Sequence, residues 1–488
     1  DSFSWIFSMA LVTLLMAVML TSVARLERYA APLQASPPPQ EDQENPSQDR
    51  IPTAQGAHWK AWAANLALTS LGLVAVLAGN MLTLLLAWVA LDIIEGLILF
   101  GQGASSEERG QVVRVFSTRL GGVVTLMLAG IICWSQGEQF NFDMSSDLAT
   151  LFLFAAAGLR LGILPIFTPL FRELSMRVGL GTILRLIPVA SSLMLLVRCA
   201  NTGAQGISGL VLLGFAALAG LVGGIGWLRA QDELAGRPYW ILATTSLVMA
   251  AAILRQPTTS LAWSLVVLLP GSLLFLSSLK NRLLFVIWLL GIMGLIGLPF
   301  TPAWIGTNLF QMSYAAEGFA AQSIVVLLGL IFFIVHVFLV AGYVVLILRG
   351  ISHAMTEQQP KVDRWVWLLY LPGLLSLPIL HGVLSWAIQP GQANIPLVMW
   401  VEGASASGIA AAIWYYISRP TQRKRIFFTN QPWFSSGRIY QPISQLFDVL
   451  AYLIAQIIKV TSNLLEGEAG ILWAIVLLVL SLAFLQQY

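Results

Sequence analysis

The sequence predicts an all-α polytopic membrane protein, and three observations carry the prediction. Of 488 residues, 57% are hydrophobic and only 10% charged, whereas a soluble domain carries roughly 25% charged residues. The apolar residues fall in runs long enough to cross a bilayer, which takes ~20 residues at 1.5 Å rise for a hydrocarbon layer of ~30 Å. The runs are uniformly apolar, not alternating, which excludes barrel strands. The 26 basic and 23 acidic residues leave a formal charge of +3, which points to neither a nucleic-acid partner nor an acidic-substrate trap. The partner this composition implies is the lipid bilayer, and it excludes a nucleic-acid partner. Cys133 and Cys199 are the two cysteines, too few for a disulfide framework or a cluster site.

Hydropathy places spans near residues 5 to 26, 61 to 79, 80 to 101, 112 to 134, 148 to 171, 178 to 198, 207 to 228, 238 to 255, 259 to 279, 283 to 317, 321 to 348, 365 to 388, 397 to 418 and 469 to 486, about fourteen in all. The first begins Asp1-Ser-Phe-Ser, with no basic n-region and no cleavage site after it, so it reads as a span and not a signal peptide. With no initiator Met, the chain is expected to start inside a longer gene product, with proteolytic processing as the alternative. The organisation expected is a first transmembrane helix over 1–30, a polar disordered linker over 31–60, a transmembrane bundle over 61–419, a basic loop and amphipathic lateral helix over 420–468, and a C-terminal transmembrane helix over 469–488. The linker contains PPPQEDQENPSQD and has no helical periodicity. The lateral helix puts Ile443, Leu446, Phe447, Leu450, Leu453, Ile454, Ile457 and Ile458 at helical spacings, with Gln445, Asp448, Gln456 and Lys459 between them; one more short span is the alternative. Two places carry paired prolines, Leu164-Pro165 with Thr168-Pro169 and Leu298-Pro299 with Thr301-Pro302. Each predicts a broken helix, a pairing found in transporter repeats with an ion site between them.

Basic residues collect in alternate connections, at Arg25/Arg28, Arg109/Arg114, Arg172/Arg177, Arg229/Arg237, Lys280/Arg282, Arg349/Lys361/Arg364 and Arg419/Arg423/Lys424/Arg425. On the positive-inside rule these connections are cytoplasmic and both chain ends lie outside, provided 283 to 317 is a single interrupted pass. The expected location is the bacterial inner membrane.

Charges at membrane depth are few, and each costs ~2.5 to 3.5 kcal/mol on insertion scales unless it is paired. Asp92 and Glu95 are three residues apart in LLLAWVALDIIEGLILF and therefore share a helical face. Two ionised carboxylates there would repel, so the pair either handles protons or is anchored by Arg119 or Arg114 on the next helix. Arg160, in FAAAGLRLGILP, and Arg185, in GTILRLIP, cannot release their protons, so they steer charge without relaying it; a structural ion pair is the competing reading. His336 and His381 are the histidines inside spans, and a lone histidine among Val, Phe and Leu is more often a satisfied core residue than a relay. Glu402 opens VEGASASG, whose small residues let another helix approach. The candidate proton-handling residues are thus Asp92, Glu95, Arg119, Arg160, Arg185 and His336. No nucleophile elbow, phosphate loop, HExxH or Cys/His ligand set occurs, so no cofactor, metal or catalytic site is expected. Gly223-Gly224-Ile-Gly226 reads as a close-packing stripe.

Several of these segments resemble the antiporter-like proton-channel subunits of respiratory complex I and of multisubunit cation/proton antiporters. Asp1-Ser-Phe-Ser is similar to the Asp-x-Leu-Ser entry to the family's third helix, and Asn80 to Trp88 to its Asn-rich entry to the fifth. VFSTRLGG (115–122) resembles FxxxRxGD with Gly122 in place of Asp. LRLGILPIFTPL resembles the lysine-bearing KSAxxPxHxWLP of the broken seventh helix, and GLPFTPAWIGT the GxPxxxGFxxK of the broken twelfth. The resemblance implies about sixteen helices, two of them before Asp1. The departures fall on working residues: Val89 stands where the key Glu follows Trp88, Arg160 and Thr307 replace lysines, Phe167 replaces a histidine, Thr182 to Arg185 lacks the relay histidine, and Asp232-Glu-Leu234-Ala keeps only the Asp of Asp-x-Lys-Arg. Asp92 lies one turn beyond the vacant Glu position. The function expected is an antiporter-like subunit of a complex I-like, NADH:quinone oxidoreductase-type translocase, with an altered or degenerate channel for protons or another cation. The alternatives are a non-conducting structural subunit and the membrane partner of a soluble subunit in inorganic-carbon uptake.

The orientation is testable by itself. A cysteine introduced as Asn430→Cys is expected to resist a membrane-impermeant reagent in intact cells and to react after permeabilisation; labelling from outside would reverse the topology.

Overall fold

The computed structural model describes residues 1–30, 58–102, 106–137, 142, 146–164, 166, 178–277, 284–311, 322–356, 364–388 and 397–418. The linker, the lateral helix, the last span and the far side of the first proline break lie outside the described residues. Within them the protein is helical: α1 (Ser2–Ala30), α2 (His58–Leu77), α3 (Met81–Gln102), α4 (Ser106–Ser135), α5 (Asp147–Leu161), α6 (Val178–Cys199), α7 (Gly206–Arg229), α8 (Glu233–Ile253), α9 (Pro257–Leu276), α10 (Phe285–Met293), a 3-10 helix (Trp304–Phe310), α11 (Gln322–Thr356), α12 (Arg364–Ile388) and α13 (Leu397–Ser418). Thirteen of the hydropathy spans have an α-helix, and ten of these helices are long and apolar enough to cross a membrane. The protein is an integral membrane protein.

Burial sorts the helices. α6 is buried from Leu180 to Cys199 and α9 from Thr259 to Leu276, and α8 nearly throughout. α6 touches α1, α2, α5, α8 and α9, and α9 touches α1, α8, α12 and the 3-10 helix, so these two form the centre around which the others pack. Outer helices show one apolar face outward; on α3 that face is Leu82, Leu86, Val89, Ile93 and Leu97, spaced by three or four residues as a helical stripe requires.

With no water in hydrocarbon, polar groups must be satisfied inside the chain. Hydroxyls donate back to carbonyls one turn earlier, as from Thr21 to Ala17 (2.7 Å), Thr69 to Asn65 (2.8 Å) and Thr182 to Val178 (2.7 Å). Indole N–H groups reach across helices, Trp227 to the Leu339 carbonyl at 3.0 Å and Trp263 to the Gly306 carbonyl at 2.9 Å. Helix starts are capped by side chains. Asp1 accepts from the Ser4 N–H at 2.6 Å, Asn80 from the Thr83 N–H at 2.8 Å and Asp232 from the Ala235 N–H at 2.7 Å, each supplying one of the acceptors that a helix N-terminus lacks. The Asp232 cap is why α8 begins at Glu233, earlier than its hydropathy suggests.

Both proline-marked places interrupt helix where they are described. α5 stops at Leu161 on Gly162, which has φ 76° and lets the Ile163 N–H donate back to the Gly158 carbonyl at 2.9 Å, three residues ahead of Pro165. The second break is open to view: α10 ends at Met293, Gly297 and Phe300 take φ 71° and 67°, and a 3-10 turn follows from Trp304. The span read as 283 to 317 is therefore two short pieces joined by a non-helical stretch.

One buried arginine that sequence reading did not single out ties the first helices together. Arg198, in the last turn of α6, pairs with Asp1 at 3.2 Å, donates to Ser4 Oγ at 2.7 Å and to the Ala78 carbonyl, and lies 5.1 Å from the Phe142 ring. The signal was present in its position: Arg198 departs from the alternating pattern of basic connections, and a paired arginine at a helix C-terminus needs no solvent.

The glycine stripe of α7 sets the α7–α8 approach. A Cβ on Gly223 would lie 2.6 Å from the Ala243 nitrogen and 2.9 Å from the Tyr239 carbonyl oxygen, both backbone atoms, whereas one on Gly214 meets nothing within 4 Å. Gly223→Ala is expected to destabilise the protein by about 1 to 3 kcal/mol through overpacking, read as a lower melting temperature in detergent. Gly214→Ala, on the same helix, should leave it unchanged.

Candidate functional site

Four charged side chains from three consecutive helices meet in the bundle. Asp92 and Glu95 come from α3, Arg119 from α4, and Arg160 from the last turn of α5. Arg160 grips Asp92 with both terminal nitrogens, Nη1 at 2.7 Å from Oδ2 and Nη2 at 2.8 Å from Oδ1, the planar fork that suits a carboxylate. Arg119 pairs directly with Glu95 and lies 3.9 Å from Asp92. The set holds two acids and two guanidinium groups, so it is formally neutral, and each carboxylate has its own arginine.

The surroundings hold this geometry in place. The α5 terminus puts Arg160 where the helix dipole favours a cation. The Trp88 ring lies 4.4 Å beneath its Cζ, and the Trp88 indole donates to Ser191 on α6 at 2.9 Å. Gly122 provides the passage for the Arg160 stem: a Cβ there would fall 2.7 Å from Arg160 Cγ and 3.0 Å from the Ala156 carbonyl. The glycine where the resembling motif carries Asp is thus sterically required, and an aspartate would collide with the arginine that now answers Asp92.

The two carboxylates differ in access. The Glu95 side chain is 1% exposed and that of Asp92 13%. Asp92 lines a groove of about 510 Å³ between α3 and α4, with Val89, Ile93, Leu97, Phe116 and Leu120 among its walls. Asp92 therefore stands at the lateral edge of the site, while Glu95 is sealed within it.

The other predicted residues do not join this cluster. Arg185 lies buried within α6. His336 is buried on α11 against the second break, where Nε2 contacts the Leu295 carbonyl at 2.8 Å and the ring stacks on Phe310 with centroids 5.5 Å apart. His381 is buried on α12. Thr307, at the position of the resembling lysine, donates to the Trp304 carbonyl at 2.8 Å. Among the described residues, no group of three or more His, Cys, Asp or Glu is arranged to hold a metal.

The fold has counterparts among solved structures. A chain of the Mrp complex from Dietzia sp. DQ12-45-1b superposes with a TM-score of 0.62 at 12% identity; the match covers all of this chain and 55% of that one, so this chain spans about half its length. A chain of the membrane-bound sulfane sulfur reductase, an archaeal respiratory membrane complex, gives 0.56 at 14% identity, over 99% of this chain and 89% of the other. A chain of respiratory complex I from Thermus thermophilus gives 0.54 at 14% identity, over 80% and 86%. No family model and no curated sequence matches. At 12 to 14% identity these likenesses show a fold shared with chains of the three complexes.

The Asp92–Arg160 pair should behave as a buried ion pair. Arg160→Leu leaves Asp92 without its bidentate partner and is expected to cost about 3 to 5 kcal/mol. Asp92→Leu with Arg160→Leu keeps the charge balanced and should recover most of that loss in a double-mutant cycle read by thermal unfolding in detergent.

Proposed function

We propose that this chain is an antiporter-like membrane subunit of a complex I-like energy-converting assembly, seated in a bacterial inner membrane among other membrane subunits, and that the Asp92, Glu95, Arg119, Arg160 cluster is its altered site for proton translocation. The observation that carries the reading is the placement of four formal charges inside a helical bundle of this fold, each carboxylate on a separate arginine. Charges at this depth default to a role in moving or sensing charge.

The chemistry available is limited by residue type. Arginine holds its proton at any accessible pH, so the groups that can change charge are the two carboxylates. Proton uptake at Asp92 or Glu95 releases one arginine and leaves the cluster at +1; departure of the proton restores neutrality. A charge appearing in a neighbouring subunit biases that step through space, and the low dielectric extends its reach. Asp92, at the groove, is the more exposed of the two carboxylates, and Glu95 the sealed one.

The mutual satisfaction of all four charges also favours a second reading, a non-conducting structural subunit in which the cluster only fastens α3, α4 and α5. The quartet Asp92→Asn, Glu95→Gln, Arg119→Gln, Arg160→Gln removes every titratable group and preserves neutrality, so the assembly can be purified and compared. Proton translocation by the reconstituted assembly is expected to fall by roughly tenfold or more, with copurifying subunits unchanged. Native rates from a fully assembled quartet complex would leave the structural reading.

A further inference from the structure

Between α10 and the 3-10 helix, the chain sets an aromatic ring out from the bundle at a backbone cost. Phe300 has φ 67°, a region that a bulky side chain rarely enters, and such conformations cluster at ligand clamps and functional sites. Burial of the ring within the chain does not offset that cost, since Phe300 is 78% exposed. The turn that carries it is firmly made. The Thr301 N–H donates to the Leu298 carbonyl at 2.9 Å and the Trp304 N–H to the Thr301 carbonyl at 3.1 Å.

Two tryptophans flank that ring. Its centroid lies 6.0 Å from Trp304, at an interplanar angle of 48°, and 6.4 Å from Trp400 of α13, at 67°. Trp304 is buried and its indole donates to Met399 Sδ at 3.0 Å, which fixes it as a floor. Trp400 is 43% exposed, so Phe300 and Trp400 form an open corner of two inclined rings. The corner lies at the level where spans end. Trp400 is the fourth residue of α13, about 5 Å from its start at 1.5 Å per residue. Thr259, the third residue of α9, donates to the carbonyl of Ile305, next to Trp304, at 3.4 Å.

The charge carried by these elements has one sign. Residues 284–311 contain no charged side chain, and α13 contains one, Glu402. A hydrogen bond with Gln311 holds Glu402 at the end of the 3-10 helix. Arg255, just ahead of α9, is turned to the Thr202 carbonyl at 2.6 Å. Aromatic ring faces are electron-rich and attract a cation placed within about 6 Å of a centroid, and no base on either element competes for them. Beside Trp400, the side chains of Leu397, Val398 and Val401 are exposed, an apolar surface of the kind that lipid chains cover, with the tryptophan at headgroup level.

We propose that Phe300 and Trp400, over the floor of Trp304, form a binding site for the ammonium headgroup of a phospholipid, choline or ethanolamine, whose acyl chains lie along the outer face of α13. The ammonium stands against the two rings, and Glu402 supplies the negative charge of the surrounding elements. The left-handed backbone at Phe300 is what aims its ring outward to meet that group. The site is separate from the charged cluster of α3, α4 and α5 and holds whether or not that cluster moves protons.

The test titrates the full chain, delipidated in detergent, with phosphatidylcholine, phosphatidylethanolamine and phosphatidylglycerol of identical acyl chains, and counts bound lipid by native mass spectrometry. Phe300→Gly removes the ring and the left-handed cost together, so it is expected to keep the melting temperature. Its tightest sites for the two ammonium lipids are expected to weaken by about fivefold, the effect of a partly exposed cation–π contact. Trp400→Leu should weaken them likewise. Phosphatidylglycerol binding should be unchanged in both variants. Trp386→Leu, which removes another exposed tryptophan near the end of α12, should leave all three lipids bound as before. Unchanged binding of the ammonium lipids in both Phe300→Gly and Trp400→Leu overturns the proposal. An equal loss of phosphatidylglycerol, or an equal loss in Trp386→Leu, overturns it too, because either shows a general aromatic belt that reads no headgroup. Tetramethylammonium bound by the lipid-free chain as tightly as phosphatidylcholine would make a free cation the occupant and overturn the lipid assignment.

Discussion

A polar group in this bundle has no water to turn to, and the satisfaction of buried charge within the chain is the constraint on which the arrangement of α3, α4 and α5 depends. Glu95 takes Arg119 from α4, and Asp92 takes Arg160 from α5, so three helices are fixed in rotation and depth by two contacts. The requirements then propagate. Arg160 reaches Asp92 because α5 ends at Leu161 on a left-handed glycine. Its stem passes because Gly122 has no side chain, and its face rests on Trp88, which in turn bonds Ser191 of the central helix α6. A proline-marked helix end, a missing Cβ and an indole hydrogen bond all serve one ion pair.

The helices were legible because a span is a local property: length, apolar content and proline punctuation lie in one stretch of sequence. The shared face of Asp92 and Glu95 was legible for the same reason, since three residues along a helix return to one side. The partner of Asp92 was not. Arg160 lies 68 residues away, and periodicity states which residues share a face without stating which helices are neighbours. Arg119, on the next helix, was the natural expectation and does answer Glu95. Gly122 was legible only as a departure from a motif, and its reason appears once the Arg160 stem is seen against it. Arg198 stood out only by falling outside the alternating basic connections, and its partner Asp1 lies 197 residues away, where periodicity cannot reach.

The residues that carry the sequence resemblance divide by task. Asp1, Asn80 and Asp232, which match resembling motifs, are N-caps of α1, α3 and α8. The two proline-marked segments, which also match, mark helix breaks. These features build the fold, and their cost of loss is paid in backbone groups left unanswered. The positions that differ, Val89, Arg160 and Thr307, are those where the resembling motifs place a titratable group. Matching and differing positions thus separate in this chain: the first meet local backbone requirements, and the second are the titratable positions of the resembling motifs.

That separation explains why the cluster is neutral. With a lysine at position 160, neutrality would be adjustable, since a buried lysine can give up its proton. Arginine removes that freedom, so two fixed positive charges enter the bundle and must be matched by two carboxylates. Asp92, one turn beyond the vacant acid position, and Glu95, one turn further, are those carboxylates. Either one alone would leave an uncompensated guanidinium in a medium where an isolated charge costs ~2.5 to 3.5 kcal/mol even on insertion scales. The second acid on α3 is thus a consequence of the arginine on α5. Any charge movement through this site must begin by protonating a carboxylate against the pull of its own arginine.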